Sequence, residues 1–208
     1  MTVAGLKDLI VLVADLDAEV GVKALLSRAA HLGFREIDFD VIRHVHRDNG
    51  VFQQAHELLR AQSRRYRYAI AICDHHGCGR EELSRNEVEA RVELNLRANG
   101  WGERAAAIVI EPELEAWIWG DWTAVVKCVG WTEGPAALKR WLRDRNFLRA
   151  DQPKPIRPKE ALHRALRQTN RRSSSALFAD IAQTADSTSC IDEAFIKFRS
   201  TLQAWFAT

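Results

Sequence analysis

The sequence predicts an α/β fold: a parallel β-sheet of about four strands flanked by helices, followed by an α-helical C-terminal part. Three observations support this prediction. Short apolar runs recur within the first 110 residues, as in strands that are buried on both faces of a sheet. Stretches with helical periodicity separate these runs, so that the strands have to be parallel. After residue 112 the strand pattern stops and helical patterns follow.

Four segments of the first half have the character of β-strands. The first, third and fourth are continuous apolar runs, whereas the second alternates apolar and polar residues. They cover residues 9–14, 36–45, 68–73 and 105–110. A β-α-β-α-β-α-β order with right-handed crossovers places helices on both faces of the sheet.

Helical periodicity fills the gaps between the strands at residues 18–32 and 51–62, and a third helix begins after Ser84. Ser84 and Glu87, three residues later, form a capping-box pattern. Six further helices are predicted at residues 112–119, 122–129, 135–146, 158–168, 174–185 and 191–206. We therefore divide the chain into an α/β core, residues 1–121, and a basic helical extension, residues 122–208.

The composition is that of a globular protein with one sizeable core, because 47% of the 208 residues are hydrophobic and 28% are charged. The longest apolar run, residues 9–14, is far shorter than the roughly 20 residues that cross a bilayer. Acidic residues directly after that run argue against a signal peptide. Four cysteines without a regular framework predict free thiols in a reducing compartment. We expect a cytoplasmic protein without a membrane partner.

The charge is unevenly distributed along the chain. The segment from Lys139 to Arg172 contains twelve basic and three acidic residues, a net charge of +9, and the remainder carries −7. Such a segment is typical of a solvated helical face or of a surface that binds phosphates, and its excess of arginine over lysine favours phosphates. We predict nucleic-acid contacts by Arg157, Lys159, Arg164 and Arg171.

Acidic side chains follow three of the four predicted strands. Ligands of open parallel sheets bind outside the carboxyl ends of the strands, and oxygen-rich clusters suit Mg²⁺ or Mn²⁺. The sequence therefore predicts a divalent-cation site with Mg²⁺ or Mn²⁺ as cofactor. Its catalytic residues are predicted to be Asp15, Asp17 and Asp74, and its metal ligands Asp74, His76, Glu111 and Glu113. Each carboxylate has an alternative role at the N-terminus of the helix that follows it.

Several of these motifs resemble a known family. Asp74-His75-His76-Gly77 at the end of the third strand, and Glu113-Leu114-Glu115-Ala116-Trp117 after the fourth, look like elements of the Rossmann-like Toprim fold. They are most similar to small Toprim-like proteins of bacterial anti-phage defence loci, including methylation-associated defence systems. Those relatives end the third strand in Asp-x-Asp-Gly and follow the fourth with an Ile-Glu-Ala-Trp-like helix start. Their basic helical tail resembles Pro158-Lys159 and Ala194-Phe195-Ile196-Lys197-Phe198.

The sequence departs from the family pattern at two positions. Ala14 stands where the family has a glutamate, and His76 stands where it has a second aspartate. The resemblance implies a Mg²⁺-ligating role for Asp74, and the role of general acid or base for Asp15 or Asp17 as a shifted substitute. A site of Asp, His and Glu either prefers a softer cation such as Mn²⁺, Fe²⁺ or Zn²⁺ or is catalytically silent.

The resemblance and the acidic residues together predict a metal-dependent nucleic-acid phosphodiesterase, a nuclease or accessory effector in phage defence. Its expected partners are nucleic acid and other subunits of the defence system. Ala14 and His76 motivate an alternative, a catalytically silent Toprim-like module that binds nucleic acid or a partner subunit. A third hypothesis, a nucleotide-binding regulator, rests only on Gly77-Cys78-Gly79.

Overall fold

A computed structural model describes residues 5–207 of the chain. It contains a four-stranded sheet in which every pair of neighbouring strands is parallel, in the order β2-β1-β3-β4. The strands are β1 (Lys7–Val13), β2 (Phe39–Arg43), β3 (Tyr66–Asp74) and β4 (Ala105–Ile110). The predicted α/β fold, a Rossmann-like parallel sheet of four strands flanked by helices with a helical C-terminal part, is confirmed.

Helices connect the strands and form the whole C-terminal part. Four lie between or beside the strands, namely α1 (Leu16–Leu26), α2 (Ala29–Leu32), α3 (Arg47–Arg60) and α4 (Arg85–Leu96). Six follow β4, namely α5 (Glu115–Ile118), α6 (Trp122–Val129), α7 (Gly134–Arg143), α8 (Pro158–Gln168), α9 (Ser175–Thr184) and α10 (Glu193–Trp205). The predicted helix at residues 18–32 is divided in two, because the Ser27 hydroxyl bonds back to the Lys23 carbonyl and Arg28 leaves the helical conformation.

The apolar runs of the strands are explained by helices on both faces of the sheet. Side chains alternate along a strand, and Leu12 and Ala71 face α3 and α4 in one hydrophobic cluster. Val11 and Ile70 face the opposite way and join the larger cluster. That cluster contains residues of α1 and of the helices after residue 121, so both sequence segments contribute to one continuous core. The division into residues 1–121 and 122–208 stays a prediction.

The outer edge of β4 is closed by side chains of α4. The backbone amides of Ala107 and Val109 donate to Glu93 and Glu89, each over 3.0 Å. Lys197 of α10 bonds to both carboxylates at 3.0 and 2.8 Å. Glu89 is only 3% exposed. These contacts occupy backbone donors at the outer edge of β4 and block the addition of another strand there, while β2 forms the opposite edge and, within residues 5–207, pairs with β1 alone.

The strand order creates a crevice at the carboxyl ends of β1 and β3. From β1 the chain turns to its neighbour β2 on one side, and from β3 it continues to its neighbour β4 on the other side. The loops after β1 and β3 therefore run in opposite directions. This is a topological switch point, where open α/β sheets bind their ligands.

Two further features bear on the expected environment of the protein. Within residues 5–207, no helix combines the length and the apolar character needed to span a membrane. Cys73, Cys78, Cys128 and Cys190 are all free thiols.

Candidate functional site

A small cavity lies at the switch point, between the carboxyl ends of β1 and β3. Its charged lining consists of five carboxylates and one ammonium group, which come from the end of β3, from the segments after β1, β2 and β4, and from α8. They are Asp15, Asp17, Asp48, Asp74, Glu115 and Lys159. The three predicted catalytic residues, Asp15, Asp17 and Asp74, therefore share one cavity. The cavity also contains Asp48, Glu115 and Lys159. These three residues were not assigned to a metal site from the sequence.

Asp15 and Asp17 approach the cavity from the start of α1. Asp15 is also the N-cap of this helix, since its Oδ1 accepts a hydrogen bond from the Ala18 amide over 3.1 Å. Asp17 accepts a hydrogen bond from the hydroxyl of Ser175, at the beginning of α9. Asp15 thus combines the expected capping role with a place in the cavity, and Asp17 is oriented by a helix of the C-terminal part.

Asp74 is the last residue of β3, and its carboxylate has a raised pKa. Burial raises its pKa well above the ordinary value, and the charges of Asp48 and Glu115 raise it further. Within residues 5–207 no side chain or backbone amide donates a hydrogen bond to this carboxylate. A buried anion without a donor is costly. A bound proton or a bound cation would relieve that cost.

Asp48, in the first turn of α3, lies next to Asp74. Its Oδ1 accepts a hydrogen bond from the backbone amide of Asp74 over 2.8 Å. Burial raises the pKa of Asp48, and its hydrogen bonds only partly offset this effect. Asp48 follows Arg47, the first residue of α3, which has a left-handed backbone with φ of 50°. The residues directly after the predicted second strand, which ends at residue 45, are not acidic, so the strand-end pattern did not identify Asp48.

Glu115 and Lys159 form an ion pair on the opposite wall. Glu115 is 3% exposed, and burial raises its pKa. The Lys159 Nζ lies 3.5 Å from Oε1 of Glu115. Burial lowers the pKa of Lys159, but the carboxylates of Glu115, Glu113 and Asp74 outweigh it and raise the pKa overall. Glu115 belongs to the Glu113-Leu114-Glu115-Ala116-Trp117 element that resembles the Toprim-like relatives. This resemblance could have identified Glu115 as a site residue.

Three predicted metal ligands do not line this cavity. His76 and Glu111 are exposed, and the backbone amide of His76 donates to the Pro112 carbonyl over 2.9 Å. Glu113 accepts a hydrogen bond from the backbone amide of Lys159 over 3.0 Å, so it caps the beginning of α8. Of the four predicted ligands, the structure brings only Asp74 into the cavity.

The four predicted nucleic-acid contacts lie in different environments. Lys159 lines the cavity, and Arg157 pairs with Glu160 over 2.8 Å on the surface. Arg171 donates to the Cys128 carbonyl over 2.8 Å near the end of α6, which is a structural contact. Arg164 is exposed on α8 and its side chain makes no ion pair or hydrogen bond within residues 5–207.

The carboxylates of the cavity have the oxygen donors that Mg²⁺ and Mn²⁺ prefer, and the unpartnered carboxylate of Asp74 fits a cation. In the described part of the chain, no three His, Cys, Asp or Glu side chains are grouped closely enough to hold a metal ion. Comparison of the chain with models of known protein families, with curated proteins and with solved structures finds no match.

Proposed function

We propose that the protein is a metal-dependent phosphodiesterase that cleaves nucleic acid, as its resemblance to Toprim-like defence proteins implies. The observation that carries this proposal is the carboxylate of Asp74. It is half-buried at the switch point of the sheet beside Asp48 and Glu115, without a hydrogen-bond donor in residues 5–207. A group in this situation gains more from a divalent cation than an exposed carboxylate does.

Asp74, Asp48 and Glu115 are the residues that would hold the cation, with Asp15 at the rim. When bound, Mg²⁺ or Mn²⁺ supplies a water molecule of lowered pKa and neutralises charge at the scissile phosphate. Because burial raises the pKa values of Asp74, Asp48 and Glu115, protons compete with a cation for these groups up to a higher pH than at ordinary carboxylates. The affinity for the cation should therefore rise with pH.

Lys159 supports a phosphate substrate at the same cavity. Its ammonium group pairs with Glu115 on the inner side, while half of its side chain remains exposed. It is thus placed to contact a phosphate oxygen at the mouth of the cavity. Arg164, also on α8, is a further exposed basic residue. Binding that depends on such residues weakens steeply as salt increases.

One observation favours a second candidate function, a catalytically silent module that binds nucleic acid or a partner subunit. Lys159 already provides a positive charge 3.5 Å from Glu115. An internal ammonium group that neutralises the acidic residues permanently would replace the metal ion. The protein would then bind phosphates through its basic helices without cleaving them.

The two functions are separated by measuring cation binding and cleavage on the same proteins. Mn²⁺ is titrated calorimetrically into the wild type, into Asp74→Asn and into Asp144→Asn, a control at the exposed end of α7. The same proteins are incubated with supercoiled plasmid and with single-stranded DNA. We expect Mn²⁺ binding and nicking by the wild type and the control, and neither by Asp74→Asn. Equal behaviour of all three proteins would refute the metal-dependent function.

A further inference from the structure

The loop after β3 holds a carboxylate by its backbone. The amides of Gly77 and Gly79 donate to the same oxygen, Oε1 of Glu81, over 2.8 and 3.3 Å. Gly77 and Gly79 have φ angles of +104° and +77°, and Cys78 between them has no positive φ. Alternating backbone conformations of this kind point amides towards one side and form a concave anion site, called a nest. In this structure the nest is filled by a side chain of the chain itself.

The nest is held in place by the beginning of α3. The side-chain amide of Asn49 donates to the Cys78 carbonyl over 3.0 Å, and Asp48 holds the backbone of Asp74 just before the loop. A Cβ on Gly79 would lie 2.3 Å from Nδ2 of Asn49, so glycine is required for this approach as well as for the backbone angle. The donors are therefore preorganised, and an anion that binds them does not have to order the loop.

The backbone donors of the nest favour a negative charge. Hydrogen bonds from the backbone, that of Gly77 first, lower the pKa of Glu81 below its ordinary value, and His75 contributes in the same direction. The Glu81 side chain is exposed on the surface. It can leave the nest without disturbing the core, so its place is open to exchange with an anion from solution.

The nest borders the acidic cavity. A Cβ on Gly77 would lie 3.5 Å from Oδ2 of Asp48, and Asp48 lines the cavity itself. We propose that the Gly77–Gly79 backbone is a binding site for a phosphate group of the substrate, and that the Glu81 carboxylate occupies this site until a phosphate displaces it. That the phosphate belongs to a nucleic acid rests on the proposed function. The anion site itself does not.

The test is a titration of inorganic phosphate, followed by NMR at the amides of Gly77 and Gly79 in the presence of EDTA. Glu81→Ala removes the internal competitor, and Glu82→Ala removes the neighbouring exposed carboxylate as a matched control. If Glu81 leaves the nest one-tenth of the time, the wild type binds phosphate with about one-tenth of the intrinsic affinity of the nest. In Glu81→Ala the midpoint of the phosphate titration should therefore lie at about tenfold lower concentration. Glu82→Ala should follow the wild type. Glycine amides that do not respond in Glu81→Ala, or that respond equally in all three proteins, would overturn the proposal.

The source of the phosphate is distinguished with two short oligothymidylates, one terminally phosphorylated and one with a terminal hydroxyl. If the two glycine amides of Glu81→Ala respond equally to the two oligonucleotides, the nest binds internal phosphodiesters. A response to the phosphorylated oligonucleotide alone assigns it to a terminal phosphate. Both results support an anion site in the nest, and a lack of response to either oligonucleotide and to phosphate contradicts it. Because no cation is present, this result is independent of whether Asp74 supports cleavage.

Discussion

Asp48 and Asp74 are joined by a hydrogen bond in which the backbone amide of Asp74 donates to Oδ1 of Asp48 over 2.8 Å. This bond ties the first turn of α3 to the end of β3. It brings a residue that follows the edge strand β2 into the cavity at the centre of the sheet. The candidate cation site is therefore built from two neighbouring carboxylates on different elements.

Replacing Asp48 by asparagine should weaken cation binding without unfolding the protein. Asparagine keeps an oxygen that can accept from the Asp74 amide, but it removes the negative charge. The loss of one charge a few ångströms away costs a cation at least about 1 kcal/mol, so calorimetry should show Mn²⁺ binding at least about fivefold weaker. Asp144→Asn serves as the control. An unchanged affinity in Asp48→Asn would exclude Asp48 from the site.

Asp74→Asn should make the cation-free protein more stable than the wild type, increasingly so at higher pH. Burial raises the pKa of Asp74 in the folded state. The folded protein therefore retains a proton that the unfolded chain releases once the pH exceeds the ordinary aspartate pKa of about 4. The free energy of unfolding of the wild type falls through this range, until Asp74 also ionises in the folded state.

Urea denaturation in EDTA, repeated from acid to mildly alkaline pH, measures this effect. The difference between Asp74→Asn and the wild type should be smallest in acid and should grow as the pH rises. Asp144→Asn should differ from the wild type by an amount that does not depend on pH. A difference for Asp74→Asn that is constant over the whole range would contradict the assigned burial of this carboxylate.

Lys159→Met should separate cation binding from action on the substrate. Without the ammonium group the acidic cavity attracts a cation more strongly, and we expect Mn²⁺ to bind roughly fivefold more tightly or better. Cleavage and nucleic-acid binding should decrease, because a phosphate contact is lost. Lys159→Arg retains the charge and should behave more like the wild type in both calorimetry and cleavage. Weaker Mn²⁺ binding by Lys159→Met would show that Lys159 supports the cation site instead of competing with it.

His76→Ala and Glu111→Ala test whether these two residues, predicted as metal ligands from the sequence, contribute to cation binding. Both side chains are exposed and neither lines the cavity. Calorimetry should therefore give Mn²⁺ affinities for both variants within about twofold of the wild type, as surface substitutions usually have small effects. A loss of tenfold or more, about 1.4 kcal/mol, in either variant would return that residue to the ligand set.

Glu89→Ala should destabilise the fold strongly. The carboxylate accepts from the Val109 amide and from Arg85, and it pairs with Lys197. Its removal leaves the buried Val109 amide without its acceptor, which costs about 1–3 kcal/mol, while Lys197 keeps Glu93 and Arg85 keeps Glu193 as partners. Urea denaturation gives the change in the free energy of unfolding. As a control, Glu193→Ala removes an exposed partner of Arg85 and should cost less than about 1 kcal/mol.

The sheet could be predicted from the sequence because the pattern that predicts each strand lies within the strand itself. A strand buried on both faces needs apolar residues at consecutive positions, and residues 9–14, 68–73 and 105–110 satisfy this. The capping box of Ser84 and Glu87 is equally local, and it is present in the structure. The acidic residues after β1 and β3 were placed correctly at one edge because the rule for parallel strands depends on strand order alone.

The rest of the site depends on contacts between distant residues. Glu113 is engaged by the backbone amide of Lys159, which lies 46 positions later in the chain. Glu115 turns inward and pairs with the side chain of the same lysine. The sequence pattern shows three glutamates after β4 at alternate positions, Glu111, Glu113 and Glu115, and does not distinguish between them. Only the packing of α8 against α5 decides which of them faces the cavity.

The contacts that close β4 set an upper limit on assembly through the sheet. Protein sheets grow by adding a strand at an exposed border, and fibres form when both borders accept partners. Here one border is blocked by the carboxylates of Glu89 and Glu93. Two molecules that met along β2 would leave no border available to a third. Polymerisation by strand addition therefore ends at a pair.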